Sequence, residues 1–131
     1  MGIVFKNNAK TTLASSLSNS ATSATVTDGS VFPTLGAGEF FLITFDDGVN
    51  NEICKCTARS SNTLTIVRAQ DNTSARAFSS GNKVELRMTA GVVDTFNLTA
   101  ADITLDASND RLGFGDASPE VSLDLGAKTD A

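Results

Sequence analysis

Between residues 24 and 88 the chain is cut into apolar runs of strand length, each bounded by turn-forming residues, a spacing that leaves no room for a long helix. Ala24 to Thr27 ends at Asp28-Gly29-Ser30. Glu39 to Phe45, carrying Phe40, Phe41, Leu42, Ile43 and Phe45, reads as a central strand buried on both faces. Asp46-Asp47-Gly48-Val49-Asn50-Asn51 supplies the residues a hairpin loop needs, and Glu52 to Ala58 is the return strand. After Arg59-Ser60-Ser61-Asn62, the run Thr63 to Arg68 alternates, with Leu64 and Ile66 inward and Thr63, Thr65 and Val67 outward. The simplest pairing is a two-hairpin meander. A polar loop from Gln70 to Asn82 leads to Lys83–Met88, a half-exposed strand with Val84, Leu86 and Met88 on its buried face. The 14 Ser and 16 Thr favour the same class, since Thr suits strands and Ser suits turns. The expected fold is all-β: a small antiparallel β-sandwich or barrel-like domain followed by an extended, short-stranded C-terminal segment. Helix is expected only as a connector of at most two turns within Thr89–Phe96, where Gly91 interrupts a short apolar pattern.

Charge marks the boundary between these parts. Residues 1–90 carry 7 acidic and 8 basic side chains, whereas residues 91–131 carry 8 acidic and 2 basic. The first ninety residues are read as the folded domain. Residues 91–131 hold short alternating pieces, Ile103-Thr104-Leu105, Arg111-Leu112-Gly113-Phe114-Gly115 and Val121-Ser122-Leu123-Asp124-Leu125, too sparse in hydrophobes to bury a core of their own. From about Phe96 onward this acidic segment is expected to be ordered by neighbouring copies, which implies an oligomer.

Composition narrows the function. With no His among 131 residues, Ser/His and Cys/His dyads and His-based zinc sites are excluded. A net charge of −5 without a basic stretch argues against nucleic acid or an anionic membrane as the main partner. The start, Met1-Gly2-Ile3-Val4-Phe5-Lys6, is too short an apolar run for a signal peptide or membrane span, and Lys6 breaks the myristoylation pattern, so the product is expected to stay in the cytosol where it is made. The sequons at Asn72 and Asn97 are then chance matches.

The residues that could carry chemistry read as structural. Cys54 and Cys56 fall on one face of a strand, ill placed for a disulfide and too few for zinc, and are expected as small buried side chains; an intersubunit site is the alternative. Asp46 to Glu52 has oxygens enough for calcium but not the EF-hand spacing, and a solvated hairpin loop uses the same letters. Asp94, Asp102, Asp106, Asp110, Asp116, Glu120, Asp124 and Asp130 read as a solvated acidic face rather than a glycosidase pair, which is usually accompanied by the Trp or Tyr that this chain lacks. Gly113-Phe114-Gly115 lacks the rest of a phosphate loop and reads as a tight turn or close-packing point. Arg59, Arg68, Arg76 and Arg87 read as edge protection and surface pairing with Asp or Glu, with an intersubunit Arg–carboxylate contact as the alternative. No catalytic, cofactor-binding or metal-ligating residue is assigned, no cofactor is expected, and the chain is read as a non-enzyme.

Two stretches together resemble a known class. Ala24 to Pro33, Gly38-Glu39-Phe40-Phe41, Glu52-Ile53, Thr57-Ala58-Arg59, Asn62 to Asp71, Thr73, Ala75 to Phe78, Gly81 and Val84 to Arg87 resemble a β-rich module found near the N-terminus of tailed-bacteriophage tail fibres and related virion proteins. Asp110 to Gly115 with Ser118-Pro119 and Leu123-Asp124-Leu125 is similar to the short segments of fibre shafts. The resemblance implies a structural virion protein, assembled in the host cytoplasm, whose N-terminal module docks on other virion proteins of the tail or capsid while the later part projects, commonly as a homotrimer. A receptor-binding fibre normally continues into a long shaft and tip. The end at Ala131 therefore leaves two expectations, that another protein makes the host contact or that the chain is a truncated form. A tail fibre or tail-fibre adaptor is the first expectation, a capsid decoration (cement) protein the second, and a carbohydrate-binding or adhesion module the third, handicapped by the missing Trp and Tyr.

Overall fold

The structure, a computed structural model, describes residues 2–95, 103–106 and 111–114. The chain divides into two compact units, residues 1–92 and 93–131. The first holds seven strands: β1 (Gly2–Ile3), β2 (Lys10–Thr12), β3 (Ser23–Thr25), β4 (Glu39–Asp46), β5 (Asn51–Ser60), β6 (Thr63–Gln70) and β7 (Lys83–Glu85), with a 3-10 turn at Gly29–Val31 and a short helix, α1 (Ala90–Thr95), at the junction. β4, β5 and β6 form the expected two-hairpin meander.

The strand path runs β2-β7-β4-β5-β6-β3, and β1 adds a parallel pairing to the start of β4. The two ends of this path meet. Leu13 bridges Val26, the Ala14 N–H donates to Thr25 O at 2.9 Å and the Thr27 N–H donates to Thr12 O at 2.9 Å. The sheet therefore curls until its ends touch, the barrel-like alternative of the sequence reading, and leaves few unpaired edges. All ladders apart from that of β1 are antiparallel.

The concave face is the core. Phe41, Ile43 and Phe45 of β4, Cys54 and Cys56 of β5, Leu64 and Ile66 of β6 and Val84 of β7 all point into it, as the two-residue period of strands requires. Leu13, Leu17, Val26, Phe32 and Phe78 fill it from the connecting segments. Phe32 stacks on Phe41 with ring centroids 5.4 Å apart, and Phe45 meets Phe78 at 5.7 Å. These ring pairs join loop to strand at two places in the core.

Several expectations are corrected. β4 is central but not buried on both faces, because Phe40 and Leu42 on its convex side are only half-covered. The strand expected at Ala24–Thr27 spans Ser23–Thr25, with Val26 continuing only as the bridge to Leu13. The strand expected from Lys83 to Met88 ends at Glu85, where pairing with β4 and β2 stops; Leu86 is half-buried and Met88 is 61% exposed. β1 and β2 have no counterpart among the strands expected from the sequence. Thr63, Thr65 and Val67 face outward as read, and α1 is the short connector expected there.

In the second unit, β8 (Ile103–Asp106) and β9 (Arg111–Phe114) pair antiparallel with Ile103 opposite Phe114 and Asp106 opposite Arg111. Gly113 and Phe114 thus lie in a strand rather than a tight turn. The expected strand Val121–Leu125 lies outside the described residues, as do Phe96, Asn97, Asp102, Asp110, Gly115, Asp116, Ser118, Pro119, Glu120 and Asp130.

Candidate functional site

The strands bring together one cluster of charged side chains inside the first unit, and it contains Glu52, which is corrected from a solvated loop residue to a buried one because β5 carries it in the inward phase. Glu52, at the start of β5, has 0% exposure. Its carboxylate accepts from Arg68 Nε at 2.8 Å and Arg68 Nη2 at 2.7 Å, a two-pronged pair with both oxygens engaged. It also accepts the Ala69 N–H at 3.0 Å, the Arg76 N–H at 2.9 Å and the Cys54 thiol at 3.3 Å. Five donors surround one carboxylate, so burying its charge is compensated by bonds rather than by water.

Local backbone explains how β6 delivers two of those donors. Ile53 is opposite Gln70 and Lys55 opposite Val67, so β6 holds one residue more than β5 across this interval. The bulge puts Ala69 in the left-handed region, φ 55°, and turns its N–H out of the ladder onto Glu52. Arg68 keeps the inward phase of Leu64 and Ile66, and only 9% of its side chain is exposed.

Arg68 then reaches further. Its Nη1 donates to Ser18 O at 2.6 Å and Ala21 O at 3.1 Å, and its Nη2 donates to Arg76 O at 2.5 Å. The backbone of Arg76 is therefore held at both of its polar groups, N–H by Glu52 and C=O by Arg68. One ion pair ties together the β6 bulge, the loop after it and the turn before β3.

Electrostatics follow from this packing. Burial pushes the Glu52 carboxyl up, but the Arg68 side chain first and then the Arg76 and Ala69 N–H groups outweigh it and hold the group below its ordinary value. Arg68 is raised by its bond to Glu52. A carboxylate saturated with donors and paired with a permanent cation is poorly suited to exchanging protons near neutrality. Its chemistry is fastening.

The residues singled out from sequence are spread around this cluster rather than gathered at it. Cys54 and Cys56 are buried, free and on one face; burial, reinforced for Cys54 by the neighbouring Glu52, pushes their thiols up to about 12 and about 11. In the β4–β5 loop, Asp46 accepts the Gly48 N–H at 2.7 Å, and Asp47 accepts the Val49 and Asn50 N–H groups at 2.9 and 2.6 Å. The loop closes on its own carboxylates, and these bonds, with that from Arg87 to Asp46, lower both pKa values. Its tip presents Val49, 89% exposed.

The arginines differ from one another. Arg87 pairs with Asp46 at 2.9 Å and Glu85 at 2.7 Å, the surface pairing expected. Arg59 donates instead to Pro33 O and Thr34 Oγ1. Arg68 is corrected from edge protection to a core residue, because its inward phase carries it to Glu52. Arg76 is exposed and acts through its backbone. Asp94 is exposed on α1.

A signal for the missed pair was present. Glu52, Cys54 and Cys56 are two residues apart on one strand, so a face read as buried for the cysteines is buried for Glu52 too. Arg68 stands in the same relation to Leu64 and Ile66. Opposite charges in the inward phase of adjacent strands predict a buried pair.

Among the described residues, no group of three or more Cys, Asp and Glu is placed to hold a metal ion, and no helix is long and apolar enough to cross a membrane. No family model matches the chain, and no curated protein matches it.

Proposed function

We propose that this chain is a structural protein of a tailed-bacteriophage virion, most simply a tail fibre or tail-fibre adaptor, without enzymatic activity. The first unit is its docking module, and the acidic residues 91–131 are a segment that oligomer or assembly contacts order. In this reading it assembles as a homotrimer in the host cytoplasm, with other virion proteins as partners and neither nucleic acid nor membrane.

One observation supports this reading above the others. Several of the residues that carry the resemblance fasten the module's loops. Asp28 accepts from the Ser30 N–H and caps the 3-10 turn, Asn62 Oδ1 accepts the Gly29 N–H at 2.8 Å, Glu52 and Arg68 hold Arg76, and Phe78 pairs with Leu17. A sequence whose distinctive residues are spent on holding a shape suits a protein whose task is to present that shape.

The test is location. An epitope-tagged chain, expressed in the infected host, is expected to co-sediment with intact particles through a density gradient and to take gold-labelled antibody at the tail. Label spread over the capsid lattice would establish the decoration-protein alternative, and a chain absent from purified particles overturns the proposal. Glycan binding by the isolated chain, together with that absence, would favour the carbohydrate-binding alternative.

A further inference from the structure

The loop between β6 and β7 is long, polar and attached at few points. From Asp71 to Ala77 no side chain is buried, and Phe78 is the first residue of the loop to enter the core. A segment with so little apolar contact opens more readily than the strands beneath it. Its backbone is also bent: Asp71 and Asn72 have φ of 50° and 61°, two and three residues after Ala69 at 55°. An alanine in the left-handed region costs roughly 1 kcal/mol, a cost that the surrounding contacts must offset.

Those contacts can be traced, beginning with Asp71, whose Oδ2 accepts the Gly91 N–H of α1 at 3.0 Å. Thr73 is held at the near end, its N–H and hydroxyl on Gln70 O and its Oγ1 accepting the Ile53 N–H at 3.0 Å. Phe78 is held at the far end by paired backbone bonds with Leu17 of 2.9 and 2.8 Å. Between them stands Arg76, gripped through its N–H and C=O by the Glu52–Arg68 pair. No strand lies alongside to make these two bonds, so side chains make them.

We infer that residues 71–77 form a strap latched shut by the buried Glu52–Arg68 pair, and that the strap opens as a local unit, ahead of the barrel, when the Glu52 carboxylate is lost. The charged and titratable groups facing Glu52 are Arg68 from β6 and Cys54 from its own strand; the strap contributes backbone alone. Removing the carboxylate charge weakens the grip on Arg68 and on the Ala69 and Arg76 N–H groups together. The ladders between β4, β5 and β7 do not pass through these bonds.

Residue-resolved amide exchange on the full chain tests this. In Glu52→Gln, the Ala69 and Arg76 amides are expected to exchange at least tenfold faster, with the inter-strand amides of residues 42–45 and 54–56 unchanged. Equal acceleration of both sets, or of neither, overturns the latch. Should Glu52→Gln fail to fold, exchange in the unaltered chain across low guanidinium concentrations decides. The Arg76 amide is expected to exchange through an opening smaller than that of the β4 amides, and an Arg76 amide that exchanges only with global unfolding overturns the proposal.

Discussion

Glu52 and Arg68 show how a buried charge pair differs from a surface one. Leaving either alone strands a charge or several unmatched donors in the core, whereas removing both leaves mainly backbone groups to re-satisfy. Arg68→Met is expected to lower the unfolding free energy by about 3 kcal/mol. The double change Glu52→Leu with Arg68→Met is expected to cost less than the two single changes added together, and a denaturant-based double-mutant cycle reads the difference. Strictly additive losses would mean that the two residues act independently. Ala69 allows an opposite prediction. Its φ of 55° suits glycine, so Ala69→Gly is expected to stabilise the chain by about 0.5 kcal/mol, the relief of left-handed strain exceeding glycine's added unfolded-state entropy. A lower midpoint in thermal melts would show that the bulge is not strained at this position.

Turns and strands hold the next level of information, and the 3-10 turn after β3 shows how tightly two of them can interlock. Gly29 lies so close to the β5–β6 turn that an added Cβ would sit 2.1 Å from Ser61 O, a backbone atom, while Asn62 Oδ1 takes its N–H at 2.8 Å. Gly29→Ala is therefore expected to cost about 1–3 kcal/mol, the range of overpacked interiors, measured by chemical denaturation. Gly48→Ala serves as a contrast, since open space surrounds that position and only its φ of 92° opposes the change. The sequence made the meander readable because its signals are local: Asp-Asp-Gly and Ser-Asn turns, and hydrophobes in the inward phase of β5 and β6. β1 and β2 escaped because their partners are distant in sequence, Lys10 pairing with Glu85 and Gly2 with Glu39. The overreach of β7 to Met88 has the related cause that alternation continues in the letters after the neighbouring strands have ended. Glu52 reads as loop because it closes the Asp46–Asn51 run of polar letters, although its phase with Cys54 and Cys56 places it inside.

Taken over the whole molecule, the same carboxylates and thiols set the pH range in which the fold is stable. Asp28, Asp46, Asp47 and Glu52 all sit below their ordinary values when folded, so the folded chain binds fewer protons than the unfolded chain in acid. Their contribution is complete above the ordinary carboxylate range and is lost as pH falls through the lowered folded values, below about 4. Cys54 and Cys56 act at the other limit. Their thiols are raised to about 12 and about 11, so above the ordinary thiol value the unfolded chain releases protons that the folded chain keeps, and stability falls as pH rises from about 9 toward those values. A plot of guanidinium midpoint against pH is expected to be flat from about 5.5 to 8 and to decline on both sides. Cys54→Ala with Cys56→Ala lowers the whole curve by leaving small cavities but should flatten its alkaline limb, because the titrating groups are gone. An alkaline decline of the same steepness in that variant would locate its cause elsewhere. The acid limb should change more with Glu52→Gln, which removes the carboxylate, than with the cysteine variant, which removes only the Cys54 donor among the five that hold it.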